Sequence, residues 1–314
     1  MGGVNPAYDF VKRCLQAGKS VVTSNKELVA KKGAELLAIA QEKNANFLFE
    51  ASVGGGIPII RPMSQCLAAN DVIEIAGILN GTTNFILTKM IREQMPFADA
   101  LKMAQELGYA ERNPKADIEG DDACRKICIL ASLAYGKHIY PDYVNTKGIT
   151  EITLDDVLYA DAWGGVVKLI GQVKKLADGK VDITVEPMFI ERSSKGAGKL
   201  PTASAVVADI IDCVKHLSAR KYLGWADGSE SDVEPYANTI MSVYVRAESN
   251  NTKLAFEKAT ELFIGVKSLT RNGAKENEFA FTTGDMKESD IEKAIKALED
   301  NGIKVLSKIR ISDL

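Results

Sequence analysis

The pattern of apolar and polar residues along the 314-residue chain predicts alternating helices and strands in its first part. Pro6 is expected to open a first helix and Gly18 to close it, and residues 20–23 are expected to form a strand. The next segment, SNKELVAKKGAELLAIAQEKN, has the composition of a helix, with Ser24 or Asn25 as its N-cap. A strand that follows a helix so early needs a parallel partner, and the pattern provides none.

The middle of the chain continues this alternation. NFLFEASVGGGIPII is predicted to be a strand that runs into a glycine-rich turn, VIEIAGIL a short strand, and NGTTNFILTKMIREQM a turn that leads into a helix. FADALKMAQELG is amphipathic and is expected to end at Gly108. The acidic stretch GYAERNPKADIEGDDACRK is therefore the loop before the next helix, DACRKICILASLAYG. Further helices are predicted for TLDDVLYADAWGGVVKLIGQVKKLADG and SAVVADIIDCVKHL, with a strand at KVDITVEPMFI between them.

The pattern changes after a polar, acidic stretch at residues 229–235, which is predicted to be a linker. Beyond it the order is strand, helix, two strands, helix and strand, from ANTIMSVYVRAE to IKVLSKIRIS. This βαββαβ order is typical of a small ferredoxin-like α+β unit. Asn272-Gly273 and Asn301-Gly302 supply two of the turns. The predicted domain boundary lies near residue 236.

Composition and charge exclude several classes of protein. The chain is 46% hydrophobic and 26% charged, as in a globular protein with two or three cores. A net charge of −3 gives no basic field for nucleic acid or an anionic membrane. No apolar run reaches the roughly 18 residues that span a bilayer, and the N-terminus lacks a signal pattern.

The cysteines and histidines suggest no metal site and no histidine-based triad. Five cysteines without a CxxC pair are expected to be reduced and mostly buried, as in a cytosolic protein. The two histidines, His138 and His216, lie in polar settings without ligand spacing to the cysteines.

Three segments could carry chemistry, and each also has a simpler structural explanation. The triple glycine of SVGGGIP does not match GxGxxG, so it is either a tight turn or a place where freed carbonyls bind a cation. NGTTN suits a helix cap or a ligand site at the carboxyl end of a strand. Asp122 and Lys126 share one helix face. They form either a solvated i,i+4 pair worth about 0.2–0.5 kcal/mol or a proton-donating lysine beside acids. In the second case Glu111 and Asp122 can receive a substrate ammonium group.

Five segments, in order, closely resemble the homoserine dehydrogenase family: TSNKELVA, EASVGGGIPI, GILNGTTNFILTKM, GYAERNPKADIEGDDACRK and GAGKLPTASAVVADIID. The resemblance covers residues 1–225. It implies an enzyme that interconverts L-aspartate 4-semialdehyde and L-homoserine with NADP or NAD, on the route to threonine and methionine. It also implies a cytoplasmic homodimer or homotetramer that binds small-molecule substrates.

The same resemblance implies roles for individual residues. Lys126 would donate the proton to the aldehyde oxygen, with Asp122 and Glu111 holding the substrate and orienting that lysine. Further members of the substrate pocket would be Gly108, Tyr109, Thr82 and Asp117. The cofactor would contact Lys26 and Gly198. A sodium ion would be bound by oxygens of Glu50, Val53, Gly55 and Ile57, an extension of the oxygen chemistry of hard cations.

The implied fold is α/β with three parts. Residues 1–48 would be the remnant of a Rossmann-type dinucleotide-binding domain, 49–228 an α+β catalytic and dimerisation domain, and 236–314 a ferredoxin-like domain of the ACT type. The family's first strand and GxGxxG loop would precede Met1, so an N-terminally truncated member with weakened cofactor binding is expected. Only ERSS separates VEPMFI from KGAGKLP, where the family carries more sheet, and ESNNTKL replaces the usual ACT loop.

Two other functions remain as alternatives. The first is a catalytically impaired remnant that acts as an amino-acid-responsive binding or regulatory protein. The second is an aldolase that forms a Schiff base on Lys126. The acids around Lys126 disfavour the aldolase because they stabilise the charged ammonium, which is not a nucleophile.

Overall fold

The structure is a computed structural model that describes residues 3–67, 69–192, 209 and 223–314. Its helices are α1 (Ala7–Gln16), α2 (Lys26–Glu42), α3 (Gly81–Glu93), α4 (Phe97–Glu106), α5 (Lys115–Ile118), α6 (Asp121–Tyr135), α7 (Leu154–Trp163), α8 (Thr252–Leu262) and α9 (Glu288–Asp300). Its strands are β1 (Val21–Val22), β2 (Phe47–Leu48), β3 (Glu74–Gly77), β4 (Asn145–Thr146), β5 (Gly165–Lys175), β6 (Val181–Glu191), β7 (Ile240–Glu248), β8 (Lys267–Leu269), β9 (Glu278–Thr282), β10 (Met286–Lys287) and β11 (Lys304–Ile311). The mixed α/β class is confirmed.

β1 and β2 form a small parallel sheet, with Val21 opposite Phe47 and Val22 opposite Leu48. The prediction that β1 has no parallel partner is therefore wrong. α2 is the crossover that parallel strands require, and it returns the chain beside β1. The helix begins where predicted, because the side chain of Asn25 accepts a hydrogen bond from a backbone amide of the first turn.

Nine strands of the described chain form a second, continuous sheet. Seven follow the order β3-β5-β6-β11-β7-β9-β8, with β4 beside β6 and β10 beside β7. β5 and β6 are the long central hairpin, paired over their full eleven residues. β11 runs parallel to β6 and antiparallel to β7, so the C-terminal strands extend the sheet that the hairpin begins.

One predicted helix is in fact a helix followed by a strand. The pattern predicts a single helix over residues 153–179, but α7 ends at Trp163 and β5 starts two residues later. Gly164 has a left-handed φ of 95°, and a Cβ on Gly165 would lie 2.4 Å from the carbonyl oxygen of Ile190. The glycine pair therefore ends the helix and lets the strand approach β6. The apolar residues that follow then pack as a strand.

The predicted βαββαβ order is present in the C-terminal part of the chain. Its four main strands lie in the order β11-β7-β9-β8, and α8 and α9 pack on them around a cluster that includes Val243, Val245 and Phe281. The predicted linker is held against the central sheet. Val233 forms a bridge with Val181, and the carboxylate of the next residue contacts the ammonium of Lys180 at 3.1 Å.

The prediction for the cysteines is correct for two of the four that fall in the described residues. All four are free thiols, but Cys14 and Cys66 are exposed, whereas Cys124 and Cys128 are buried in α6. The fifth, Cys213, lies outside the described residues.

The prediction for His138 is wrong, because its ring is buried. Its Nδ1 accepts a hydrogen bond from the indole N–H of Trp225 at 2.7 Å, so Nε2 carries the hydrogen that it donates to the carbonyl of Ala30 at 2.9 Å. Burial lowers the pKa of His138, which keeps the ring neutral. His216 and the helix predicted over 204–217 lie outside the described residues, apart from the helical Asp209.

Candidate active site

The residues predicted to carry chemistry come from four elements that converge at the carboxyl ends of β1 and β3. Lys26 is the first residue of α2, which follows β1. Thr82 lies in the first turn of α3, which follows β3. Asp117 lies on α5, and the pair Asp122 and Lys126 lies in the first turns of α6. Strand ends of this kind are where ligands collect in α/β folds.

The ammonium group of Lys126 is held at two points. Its Nζ donates to the carbonyl oxygen of Leu79 at 2.7 Å and lies 2.8 Å from Oδ2 of Asp122. The lysine side chain is 17% exposed. Because an ammonium has three hydrogens, this arrangement leaves one for a ligand. Sequence spacing alone allows a solvated surface pair. Because Asp122 is buried and most of the Lys126 side chain is covered, the two do not form such a pair.

Asp122 is the centre of this arrangement. It is 3% exposed, and its second oxygen, Oδ1, contacts the ammonium of Lys26 at 2.5 Å. Burial by itself would raise the pKa of Asp122, but the charges of Lys126 and Lys26 outweigh it and lower the pKa to about 2. Asp122 is therefore a carboxylate at every physiological pH. Its two oxygens contact both lysines and hold them in place, and the predicted contact of Asp122 to a substrate ammonium group remains a prediction.

A second carboxylate lies beside the first, joined to it by Asn80. The side-chain amide of Asn80 donates to Oδ1 of Asp117 at 2.7 Å and to Oδ2 of Asp122 at 2.8 Å. Burial raises the pKa of Asp117, and the bond from Asn80 opposes part of that rise. The hydroxyl of Thr82 donates to the carbonyl of Tyr109 at 2.7 Å, which ties the start of α3 to the acidic loop.

Three predicted pocket residues lie on the open side of the site. Gly108 has a left-handed φ of 74° and is exposed, and the ring of Tyr109 stacks on Phe85 with centroids 4.6 Å apart. Glu111 is exposed, and among the described residues no ion pair engages its carboxylate. The structure thus brings Lys26, Asp122 and Lys126 into direct contact, and Asn80 joins Asp117 to this group. No ion pair among the described residues ties the carboxylate of Glu111 to it. Gly198 lies outside the described residues.

The glycine-rich turn forms a separate feature. The carboxylate of Glu50 is buried and accepts hydrogen bonds from the backbone amides of Ile59, Ile60 and Arg61 at 2.7–3.0 Å. Asp209 accepts a hydrogen bond from the amide of Glu50 at 2.9 Å. Of the other positions predicted to bind sodium, Val53 is buried, Gly55 has a φ of 61° and Ile57 is 40% exposed.

The residues predicted from the sequence to form the site do not include Asn80 or Leu79, although the Asn80 side chain and the Leu79 carbonyl are both part of it. Asn80 was visible as the first residue of NGTTN, where it could be taken for a helix cap. It is indeed the N-cap of α3, since its Oδ1 accepts from Thr83 N at 2.8 Å. A backbone carbonyl such as that of Leu79 leaves no signal in the sequence.

The low pKa of Asp122 predicts a dependence of stability on pH. The folded pKa of about 2 lies below the ordinary value of 3.8, so ionised Asp122 stabilises the fold above about pH 4 and this contribution falls as pH drops toward 2. We expect it to be roughly 2 kcal/mol, with about half lost by pH 3. The free energy of unfolding of wild type and Asp122→Asn, measured with urea from pH 3 to 7, should converge at the acid end. Asp121→Asn, an exposed neighbour, is the control, and a difference that does not change with pH would contradict the assignment.

Within the described residues, no group of three or more His, Cys, Asp or Glu side chains is placed to hold a metal ion. None of the helices there has both the length and the hydropathy needed to cross a membrane.

Comparisons with known proteins point to one family. A family model described as homoserine dehydrogenase matches residues 58–195, and one described as the NAD binding domain of homoserine dehydrogenase matches residues 1–50. The homoserine dehydrogenase of Neisseria gonorrhoeae is 34% identical, over 100% of this chain and 81% of its own length. That of Bacillus subtilis is 35% identical, over 84% of this chain and 67% of its own length.

Solved structures give the same result. A homoserine dehydrogenase from Thiobacillus denitrificans superposes with a TM-score of 0.88 at 31% identity, over 100% of this chain and 81% of that one. A hyperthermophilic archaeal homoserine dehydrogenase in complex with NADPH superposes with a TM-score of 0.54 at 31% identity, over 67% of this chain and 68% of that one. Motifs, fold and relatives agree, and the chain belongs to the homoserine dehydrogenase family of oxidoreductases.

Proposed function

We propose that the chain reduces L-aspartate 4-semialdehyde to L-homoserine, and catalyses the reverse reaction, with NADPH or NADH, as a step in threonine and methionine biosynthesis. The observation that carries this proposal is the buried pair of Asp122 and Lys126. The lysine is fixed by the Leu79 carbonyl on one side and by the carboxylate on the other, and one ammonium hydrogen remains for a ligand.

The geometry suits proton transfer to an aldehyde oxygen. When bound, the nicotinamide supplies the hydride that goes to the aldehyde carbon. Negative charge then develops on the aldehyde oxygen, and the ammonium of Lys126 meets it with both charge and a proton. In homoserine oxidation the neutral amine of Lys126 takes the hydroxyl proton back. Asp122 keeps the lysine aligned in both directions.

The amino-acid end of the substrate is proposed to bind at Asp117 and Glu111. Among the described residues no ion pair neutralises Asp117, and burial raises its pKa. A substrate ammonium beside Asp117 would therefore be bound favourably, because it supplies the missing opposite charge. Gly108, Tyr109 and Thr82 are proposed to line the same pocket.

Lys26 is proposed to lie beside the nicotinamide ring. It starts α2 directly after the carboxyl end of β1, and its ammonium contacts Asp122 at 2.5 Å. These residues fit a cofactor whose reactive end adjoins Lys126. The choice between NADP and NAD and the contact to Gly198 remain predictions.

A sodium ion is proposed in the glycine-rich turn. The carbonyl oxygens of Val53, Gly55 and Ile57 accept no hydrogen bond from the described residues, which leaves them for a hard cation. The Glu50 carboxylate accepts from three backbone amides, so the backbone oxygen of Glu50 is expected to join them through the lone pair that its long 3.4 Å hydrogen bond from Val53 N leaves open.

The division into domains over 1–48, 49–228 and 236–314 remains a proposal, as does the ACT type of the last one. The β11-β7-β9-β8 order of a βαββαβ unit supports the ferredoxin-like topology of residues 236–314. This unit also favours a second function, binding of an amino acid such as threonine as a regulatory signal. The cytoplasmic location and the homodimer or homotetramer remain predictions.

Turnover by the purified chain tests the main proposal. We expect NADP⁺ or NAD⁺ to be reduced when L-homoserine is added, with no reduction for D-homoserine, since the acidic pocket fixes the ammonium group. Progress is followed by the nicotinamide absorbance, and the rates with the two cofactors give the preference. A chain that is folded by circular dichroism but inactive with both cofactors would contradict the proposal. Heat of binding with threonine in that inactive chain would favour the regulatory function.

A further inference from the structure

We propose that Asn80 is a positioning residue of this active site, whose side-chain amide holds the carboxylates of Asp117 and Asp122 side by side and thereby aligns Lys126. This inference rests on the proposed function, because it concerns how the proton-donating lysine is kept in place.

The orientation of the Asn80 amide is determined by its partners on both sides. Its oxygen faces the backbone N–H of Thr83, a donor, at 2.8 Å. Its nitrogen therefore faces the carboxylates of Asp117 and Asp122, which are acceptors, and donates one hydrogen bond to each. Asn80 is 4% exposed, so water does not compete for these bonds.

Capping the helix does not require asparagine. Serine and aspartate cap helices about as well, because the cap needs only a side-chain oxygen. Of these three capping residues, only asparagine also has an NH₂ group, which can donate to two acceptors at once. The two carboxylates repel each other, and the charge of Asp122 contributes to the raised pKa of Asp117. An uncharged double donor between them opposes that repulsion.

The same side chain affects Lys126 by two routes. Asn80 and Lys126 share Oδ2 of Asp122, so the amide fixes the oxygen that holds the ammonium. The other anchor of Lys126 is the carbonyl of Leu79, the residue directly before Asn80. The cap on α3 fixes the turn that carries this carbonyl. A change at Asn80 is therefore expected to move both anchors of the lysine.

Asn80→Ser separates positioning from capping. Serine keeps the cap but loses the double donor, so kcat is expected to fall about 10- to 100-fold, as for one or two lost hydrogen bonds to charged groups. The acid limb of the kcat/KM profile should move to higher pH, because Asp117 loses the bond that lowers its pKa. The midpoint of thermal unfolding is expected to fall as well, because two buried hydrogen bonds to carboxylates are lost, so kcat is measured at a temperature where the variant is fully folded.

Asn80→Asp and Asn251→Ser complete the comparison. Aspartate also caps but places a third carboxylate between the two acids, so we expect a larger loss of kcat and a larger shift of the acid limb. Asn251 is the N-cap of α8, with Oδ1 accepting from Leu254 N at 3.1 Å, and lies in the C-terminal unit. Asn251→Ser should have the stability effect of a cap change with kcat unaltered.

The pKa of Asp117 can be measured by NMR of its carboxyl carbon without substrate. Because this measurement does not need turnover, it tests the positioning role independently of the proposed function. A higher pKa in Asn80→Ser supports the positioning role even if the wild-type chain shows no turnover, a result that would overturn the proposed function alone. An unchanged Asp117 pKa, or wild-type kcat and pH profile in Asn80→Ser, would overturn the positioning role.

Discussion

Lys126→Met is expected to lower kcat by about 10²–10⁴-fold, the usual contribution of a positioned proton donor. Methionine has similar length and keeps the helix, but it can neither donate a proton nor balance charge on the aldehyde oxygen. The fold should survive, because Asp122 retains the ammonium of Lys26 and the amide of Asn80. Steady-state rates with saturating L-homoserine and cofactor measure the effect.

Lys115→Met is the matched control. Lys115 and Glu119 form another i,i+4 pair nearby, with charged atoms 3.7 Å apart, but both side chains are exposed. Removing that lysine should leave kcat within a factor of about two, as expected for a solvated pair. Turnover near the wild-type value in Lys126→Met would remove the lysine from the mechanism.

Arg246→Met is expected to be strongly destabilising, at about 3–5 kcal/mol, since it leaves the buried carboxylate of Asp156 without an ion-pair partner. Arg246 lies on β7 and is 4% exposed. Its guanidinium lies 3.1 Å from Asp156 of α7 and 3.3 Å from Glu278 of β9. The side chains of both acids have no exposed surface.

The network around Arg246 joins α7 to the C-terminal unit. Arg271 adds contacts to Asp155 at 2.7 Å and to Glu278 at 3.0 Å, and the hydroxyl of Tyr159 donates to Glu278. Because Arg271 does not reach Asp156 in the described contacts, it cannot replace Arg246 there. The loss should therefore appear as weaker attachment of β7 and β9 to α7.

Urea unfolding followed by circular dichroism measures this loss. Lys258→Met is the control, because Lys258 pairs with Glu261 on the exposed face of α8. That change should cost less than about 1 kcal/mol. An Arg246→Met variant that is as stable as the control would show that the network contributes no net stability.

Most helices and strands could be predicted because their signals act over three or four residues. The caps at Asn25 and Asn80 and the left-handed glycines at Gly108 and Gly136 each close hydrogen bonds with near neighbours. The predictions of secondary structure are wrong where pairing with a segment far away in the sequence determines whether residues form a helix or a strand. Residues 165–175 are apolar enough for either a helix or a strand, and pairing with β6 selects the strand.

The family follows from the sequence, because five motifs stand in the family's order, and the same motifs single out Lys126 as the proposed proton donor. The contacts that make the site do not. The bonds from Asn80 to Asp122 and from Lys126 to Leu79 span 42 and 47 residues. Burial likewise depends on what folds over a residue, and it is burial that turns Asp122 and Lys126 from a weak surface pair into a held ion pair. The long-range contacts and the burial both come from the packing of α2, α3 and α6 at the strand ends, since solvent exclusion and charge pairing are properties of the assembled fold.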